Sequence, residues 1–184
     1  MKTKLLKLLA VMTISITALF ALGITASAAQ VGDFTITLTE GGGDPVADTD
    51  YTYADGVLTI NTSTALTIKN TNPSTPTTNR IEVADGVPAN ITLEGVNIDV
   101  SGTEYTAAFK IADNSAGNVT ITLADGTTNT LKSGKYCAGL QKNGAYISET
   151  QGKLTITGTG SLTATGGERG AGIGGGDVCD GSNI

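Results

Sequence analysis

Apolar and polar residues alternate one for one in short runs along most of the chain. Val119-Thr120-Ile121-Thr122-Leu123 is the clearest run, and apolar–Thr–apolar triplets recur at Leu58-Thr59-Ile60, Ile91-Thr92-Leu93 and Leu154-Thr155-Ile156. Successive side chains of an extended strand point to opposite faces, so this pattern sends Val119, Ile121 and Leu123 to a core and the threonines outward. The runs are separated by Asp55-Gly56, Asp85-Gly86, Asp125-Gly126, Gly166-Gly167 and Gly174-Gly175-Gly176, residues suited to tight turns. No segment after residue 30 carries a helical period long enough for a βαβ crossover. The pattern predicts an all-β chain of short strands.

The strands belong to a repeat. Val83-Ala84-Asp85-Gly86-Val87-Pro88-Ala89-Asn90 stands ahead of Ile91-Thr92-Leu93. It is matched without a gap by Ile111-Ala112-Asp113-Asn114-Ser115-Ala116-Gly117-Asn118, ahead of Val119-Thr120-Ile121. Ile81 and Phe109 keep the same offset, Tyr53-Ala54-Asp55-Gly56 is an earlier partial copy, and Ala138-Gly139-Leu140 recurs as Ala171-Gly172-Ile173. Short strands repeating at a period near 30 without helices predict a solenoid, in which each coil stacks on the next at about 4.8 Å. A β-sandwich also has short alternating strands but does not require the copy. Ile81, Phe109, Leu140 and Ile173 form one expected interior ladder; Ile91, Val119, Leu154 and Ile184 form a second. Asp180-Gly181-Ser182-Asn183-Ile184 reads as the opening of another strand, so the solenoid is expected to be truncated at its C-terminus.

The segment from Met1 to Ala28 has a different character. Lys2, Lys4 and Lys7 precede an apolar stretch from Leu8 to Ile24, and Ala26-Ser27-Ala28 follows with small residues. This is the layout of a secretory signal peptide cleaved between Ala28 and Ala29, so residues 1–28 are read as the signal and 29–184 as the domain. No second apolar segment exists, so no membrane span is expected after cleavage, and the product is expected to be secreted or at the cell surface. Cleavage removes three of the eleven Lys and Arg, leaving eight against seventeen acids, a net charge of −9. Acidity without a basic run argues against nucleic-acid binding. The absence of His excludes His-based triads, bases and metal ligands. Cys137 and Cys179 are the only cysteines, so one disulfide is the maximum, and whether it forms depends on a distance the sequence does not contain.

Two stretches carry a family likeness. Ile121-Thr122-Leu123-Ala124-Asp125-Gly126-Thr127-Thr128-Asn129-Thr130-Leu131 and Gly152-Lys153-Leu154-Thr155-Ile156-Thr157-Gly158-Thr159-Gly160-Ser161-Leu162-Thr163-Ala164-Thr165-Gly166 resemble the secreted carbohydrate-binding β-helix domains of Gram-positive, clostridial-type bacteria. In that family an Asp-Gly-x-x-Asn-x-Leu turn precedes an Ile-x-Gly-x-Gly-Ser-Leu strand. Gly170-Ala171-Gly172-Ile173-Gly174-Gly175-Gly176 is similar to repeats of adhesin-type surface proteins. The resemblance covers about residues 115–176. It implies a right-handed parallel β-helix, bound calcium and affinity for acidic plant polysaccharide, and hence a noncatalytic polysaccharide-binding or adhesive surface module.

Candidate chemistry follows from the stacking. Asp55, Asp85 and Asp113 occupy turn positions of successive units, and stacked carboxylates repel unless a cation such as calcium lies between them; Asp is also an ordinary turn residue. Asp177 and Asp180 lack the Gly-Gly-x-Gly-x-Asp order of calcium-binding repeats. Gly170–Gly175 matches a dinucleotide fingerprint, but no helix follows it. Sugar binding uses aromatic faces and hydroxyl-bonding side chains. Tyr105 and Tyr136 precede Phe109 and Leu140 by four residues each, so they are expected to stack on one face, with Tyr146 as a further contact. Lys135 is expected beside them, in the locally basic stretch of Lys132, Lys135 and Lys142. Two alternatives stay open. One is a fragment of a polysaccharide lyase, for which Arg80 and Arg169 are the only arginines available as a base. The other is an ice-binding solenoid using the pairs Thr35/Thr37, Thr120/Thr122, Thr155/Thr157 and Thr163/Thr165.

Overall fold

A computed structural model describes residues 28–40, 44–113, 115–144 and 151–184; most of the expected signal peptide and Tyr146 lie outside these. The described residues form an all-β structure without helices, as the alternation predicts. In chain order the strands are β1 (Ala29–Val31), β2 (Phe34–Leu38), β3 (Tyr51–Ala54), β4 (Val57–Ile60) and β5 (Leu66–Asn70). There follow β6 (Arg80–Val83), β7 (Asn90–Leu93), β8 (Asn97–Asp99), β9 (Phe109–Ile111) and β10 (Val119–Leu123). The last five are β11 (Thr128–Lys132), β12 (Leu140–Gln141), β13 (Leu154–Gly158), β14 (Ser161–Thr165) and β15 (Ile173–Gly174).

Three sheets result, ordered β1-β2-β5-β7-β10-β13, β14-β11-β8 and β15-β12-β9-β6-β4-β3. From β7 onward the chain visits the first, second and third sheet in turn, three times over, and each strand but β8, the first of its sheet, lies parallel on its predecessor. The start is built differently. β2 is antiparallel to β1 and β5, and the hairpin β3–β4 closes one end of the third sheet.

The first expected ladder is present in full and extends to Leu58: Leu58, Ile81, Phe109, Leu140 and Ile173 stand level across five strands. The first four are fully buried, and Ile173, at the edge, is 39% exposed. Burying a side chain of this size contributes about 1.5–3 kcal/mol. The second ladder is shifted from its expected composition. Ile91 pairs with Ile121, not Val119, and Val119 pairs with Leu154. The segment joining β9 to β10 is longer than that joining β6 to β7, which displaces the register by two residues. An even displacement returns the same side chains to the same face, so the core is kept while the gap-free offset is lost. The Leu154 N–H donates to the Asn183 carbonyl at 2.8 Å, which brings the chain end alongside, but Ile184 is 54% exposed and is not an interior member of the ladder.

Polar side chains fasten one round to the next. Asn129 is fully buried; its Oδ1 accepts from the backbone of Gly95 and Val96, and its Nδ2 donates to the Ser161 carbonyl. Ser133 Oγ accepts from the Ala108 N–H, and Ser115 Oγ from the Gly86 N–H. Rounds also touch through backbone. A Cβ at position 134 would stand 1.7 Å from the Thr103 carbonyl oxygen, a gap only glycine fits. Cys137 is buried, Cys179 is exposed, and both are free thiols; burial pushes the Cys137 thiol up.

Candidate functional site

Three consecutive rounds approach the third sheet through the same short plan. Glu104-Tyr105-Thr106-Ala107-Ala108 leads into Phe109, Lys135-Tyr136-Cys137-Ala138-Gly139 into Leu140, and Glu168-Arg169-Gly170-Ala171-Gly172 into Ile173. Because Phe109, Leu140 and Ile173 are level, the residues four positions before them are brought level too. Backbone bonds hold this alignment, from Tyr105 N to Lys135 O at 2.9 Å and from Tyr136 N to Glu168 O at 2.8 Å.

Tyr105, Tyr136 and Arg169 all adopt left-handed backbone, with φ of 54°, 74° and 66°. Bulky residues rarely occupy this region, and such conformations cost about 1–3 kcal/mol each. Here they recur at one position in three successive rounds. The two rings stack with centroids 4.8 Å apart and planes 26° from parallel. Tyr105 is 74% exposed, so the stack presents an open aromatic face. Lys135 Nζ lies 4.8 Å from the Tyr136 ring centroid and 3.2 Å from a Glu168 carboxylate oxygen. Tyr136 first, and Glu168 second, hold the Lys135 ammonium above the ordinary lysine range. Arg169 turns instead to Asp177, at 3.5 Å.

The face therefore combines two flat rings, one cation and one carboxylate. Stacked phenols offer apolar surface to the C–H face of a sugar ring and hydroxyls to its rim. Lys135 can meet a carboxylate, and Glu168 can accept from hydroxyls. Tyr105, Tyr136 and Lys135 come together as their spacing in the sequence predicts. Tyr146 lies outside the described residues. The basic stretch does not act as one cluster: Lys132 pairs with Asp99 at 3.1 Å, while Lys142 is buried with its Nζ on the Ser182 carbonyl at 2.9 Å.

The expected three-carboxylate row does not form. Asp55 sits in the β3–β4 hairpin turn, two residues before β4, whereas Asp85 and Asp113 follow the paired ends of β6 and β9 by two residues. Asp55 is thus at the opposite end of the strands. Asp113 already meets Lys110 Nζ at 3.1 Å and the Asn143 amide at 2.8 Å. Among the described residues no group of three or more metal-ligating side chains gathers. Of the two arginines considered for catalysis, Arg80 pairs with Glu82 and Arg169 with Asp177, both at 3.5 Å. Sequence reasoning missed Glu168 and weighed Arg169 only as a lyase base; the match of Ala138–Leu140 to Ala171–Ile173, extended three residues backward, contains both.

A family model described as "Carbohydrate-binding domain-containing protein" matches residues 74–179, which include the whole stacked face. No curated protein and no solved structure matches the chain.

Proposed function

The chain belongs to the carbohydrate-binding domain-containing family, and we propose that it holds a polysaccharide, without cleaving it, against the Tyr105–Tyr136 face. The observation that carries this is the pair of stacked rings in rare backbone conformations, Tyr105 exposed and Tyr136 half-buried beneath it, with Lys135 and Glu168 alongside. Lys135 suits a polymer bearing carboxylates, such as the acidic plant glycan expected from the sequence, and lets an otherwise acidic protein accept it. We also propose that the three sheets are the walls of a right-handed parallel β-helix. The cyclic visiting order of β7 to β15 supports the helix, and the strong bias of parallel crossovers supports the hand. Export as a secreted or cell-surface adhesive module is the setting proposed from the segment Met1 to Ala28.

Calorimetric titration of residues 29–184 with polygalacturonate, with and without a chelator, tests this. Tyr136→Ala is expected to weaken binding about 10-fold or more, and Tyr136→Phe to retain most of it. Absence of binding in both conditions would reject the sugar reading. Loss of binding on chelation would support a calcium bridge, for which the level pair Asp85 and Asp113 is the remaining candidate. The raised Lys135 value also fixes a pH profile. A lysine whose folded value is raised keeps its contribution in full below the ordinary lysine value and loses it as pH climbs through the folded one. Binding should therefore be flat from pH 6 to 9 on the Lys135 side.

A second reading has one observation behind it. Thr37, Thr67, Thr92, Thr122 and Thr157 stand level on the outward face of the first sheet, a regular column of hydroxyls of the kind an ice-binding surface needs. Thermal hysteresis in a freezing solution of the protein would carry that reading; its absence would end it.

A further inference from the structure

A polar cleft of ≈ 260 Å³ opens where the antiparallel start of the first sheet meets the segment after β5, with Gln30, Asp33, Asn70, Thr71, Asn72 and Thr75 on its walls. Five of its eight lining residues precede the residues matched by the family, the other three being Thr75, Pro76 and Thr77, and it shares no residue with the Tyr105–Tyr136 face. Asp33, in the β1–β2 turn, is the fixed point. Its Oδ2 accepts from Thr77 Oγ1 at 2.6 Å and from Asn79 Nδ2 at 2.8 Å. Asn79 is held in turn by the Tyr53 hydroxyl, which donates to its Oδ1. Asp33 Oδ1 takes no protein hydrogen bond among the described residues. The buried Asn70 amide is committed to the backbone of Asn97, through both its oxygen and its nitrogen, and forms a rigid wall. Opposite it, Gln30 Nε2 reaches Thr71 Oγ1 at only 3.4 Å, and Asn72 Nδ2 bonds Thr75 Oγ1 at 3.1 Å. The exposed Gln30 amide can turn to a ligand, whereas Asn72, whose Oδ1 also accepts from the Ser74 N–H at 3.2 Å, is held in place and offers the remaining hydrogen of its Nδ2.

The lining selects its ligand class. No Lys or Arg lines the cleft, so the Asp33 carboxylate disfavours an anion. Pro76 adds one small apolar patch to the lining, enough to meet the C–H face of a sugar and too little for a hydrophobic ligand. A carboxylate oxygen, two amides and two hydroxyls suit a ring of hydroxyl groups that both donate and accept. The volume is below the roughly 300–1,000 Å³ of pockets for drug-sized ligands, which suits one sugar ring. We propose that this cleft is a second saccharide subsite, taking one neutral sugar residue with Asp33 as its orienting acceptor. The ligand class, though not the site, rests on the carbohydrate-binding reading above.

The test is a titration of ¹⁵N-labelled residues 29–184 with D-galactose, D-glucose and D-mannose, each alone, followed by amide NMR. The expected result is movement of the Gln30 and Asn72 side-chain amide signals with at least one sugar. Asp33→Asn, which keeps an acceptor for Thr77 but loses the charge, should weaken that binding about 10-fold or more. Asn72→Ala, at an exposed position, should also weaken it and serves if Asp33→Asn fails to fold. Tyr136→Ala should leave it unchanged. The proposal is overturned if none of the three sugars moves those signals, if calcium chloride alone moves them and the sugars do not, or if Tyr136→Ala abolishes the effect. A silent cleft alongside intact polygalacturonate binding defeats this inference alone. The converse result defeats the reading of the aromatic face alone.

Discussion

Phe109→Ala is expected to lower the unfolding free energy by about 3–5 kcal/mol, one of the largest effects of any single substitution in this chain. Phe109 is fully buried and level with Ile81 on one side and Leu140 on the other. Removing its ring leaves a void whose walls are backbone-paired strands, and these cannot close in without breaking register. Ile173→Ala in the same ladder should cost less than about 1.5 kcal/mol, because Ile173 is 39% exposed and β15 is the edge strand of its sheet among the described residues. Urea unfolding followed by circular dichroism measures both. Equal costs would mean that the ladder is not the core. The cost at Phe109 also reaches the functional face, since Phe109 sets the height of Tyr105 four residues before it.

That connection explains which parts of the molecule were legible in the sequence. Ladder positions are read from alternation, because a side chain in a strand has only two faces to choose from. The stacked tyrosines were legible for the same reason: Tyr105 and Tyr136 are spaced as Phe109 and Leu140 are, and the latter pair is held in register. The carboxylate row failed because Asp55-Gly56 and Asp85-Gly86 are the same turn chemistry used in different connections. One closes an antiparallel hairpin and the other joins two sheets. Turn residues report that the chain bends and not where it goes next. The shift of Ile91 from Val119 to Ile121 has a related cause. A gap-free sequence copy counts residues, whereas stacking counts rounds, and the connections between strands differ in length. The cleft around Asp33 was invisible because it joins residues 33, 70–72 and 77, which no local pattern links.

Asn129→Leu is the second substitution expected to be severe, at about 2–4 kcal/mol, even though leucine nearly matches its size and adds apolar surface. Asn129 lies on β11 between β8 and β14, and its amide contacts the round on either side. It accepts from the N–H groups of Gly95 and Val96 at 3.0 and 2.9 Å and donates to the Ser161 carbonyl at 3.2 Å. Leucine would leave the buried Val96 N–H without a partner, at about 1–3 kcal/mol, and the half-buried Gly95 N–H at a smaller cost, and its own burial offsets only part of the sum. Hydrogen exchange separates this from a packing defect: the Gly95 and Val96 amides should lose protection well before those of β6 and β9. If they stay protected in a variant that is nonetheless destabilised, the amide is not the fastener. This assigns a structural task to the Asn of the Asp125-Gly126-Thr127-Thr128-Asn129 turn. The turn that most resembles the carbohydrate-binding family is thus a device for stacking rounds at a fixed height, and the aromatic face depends on that height for the 4.8 Å contact between its rings.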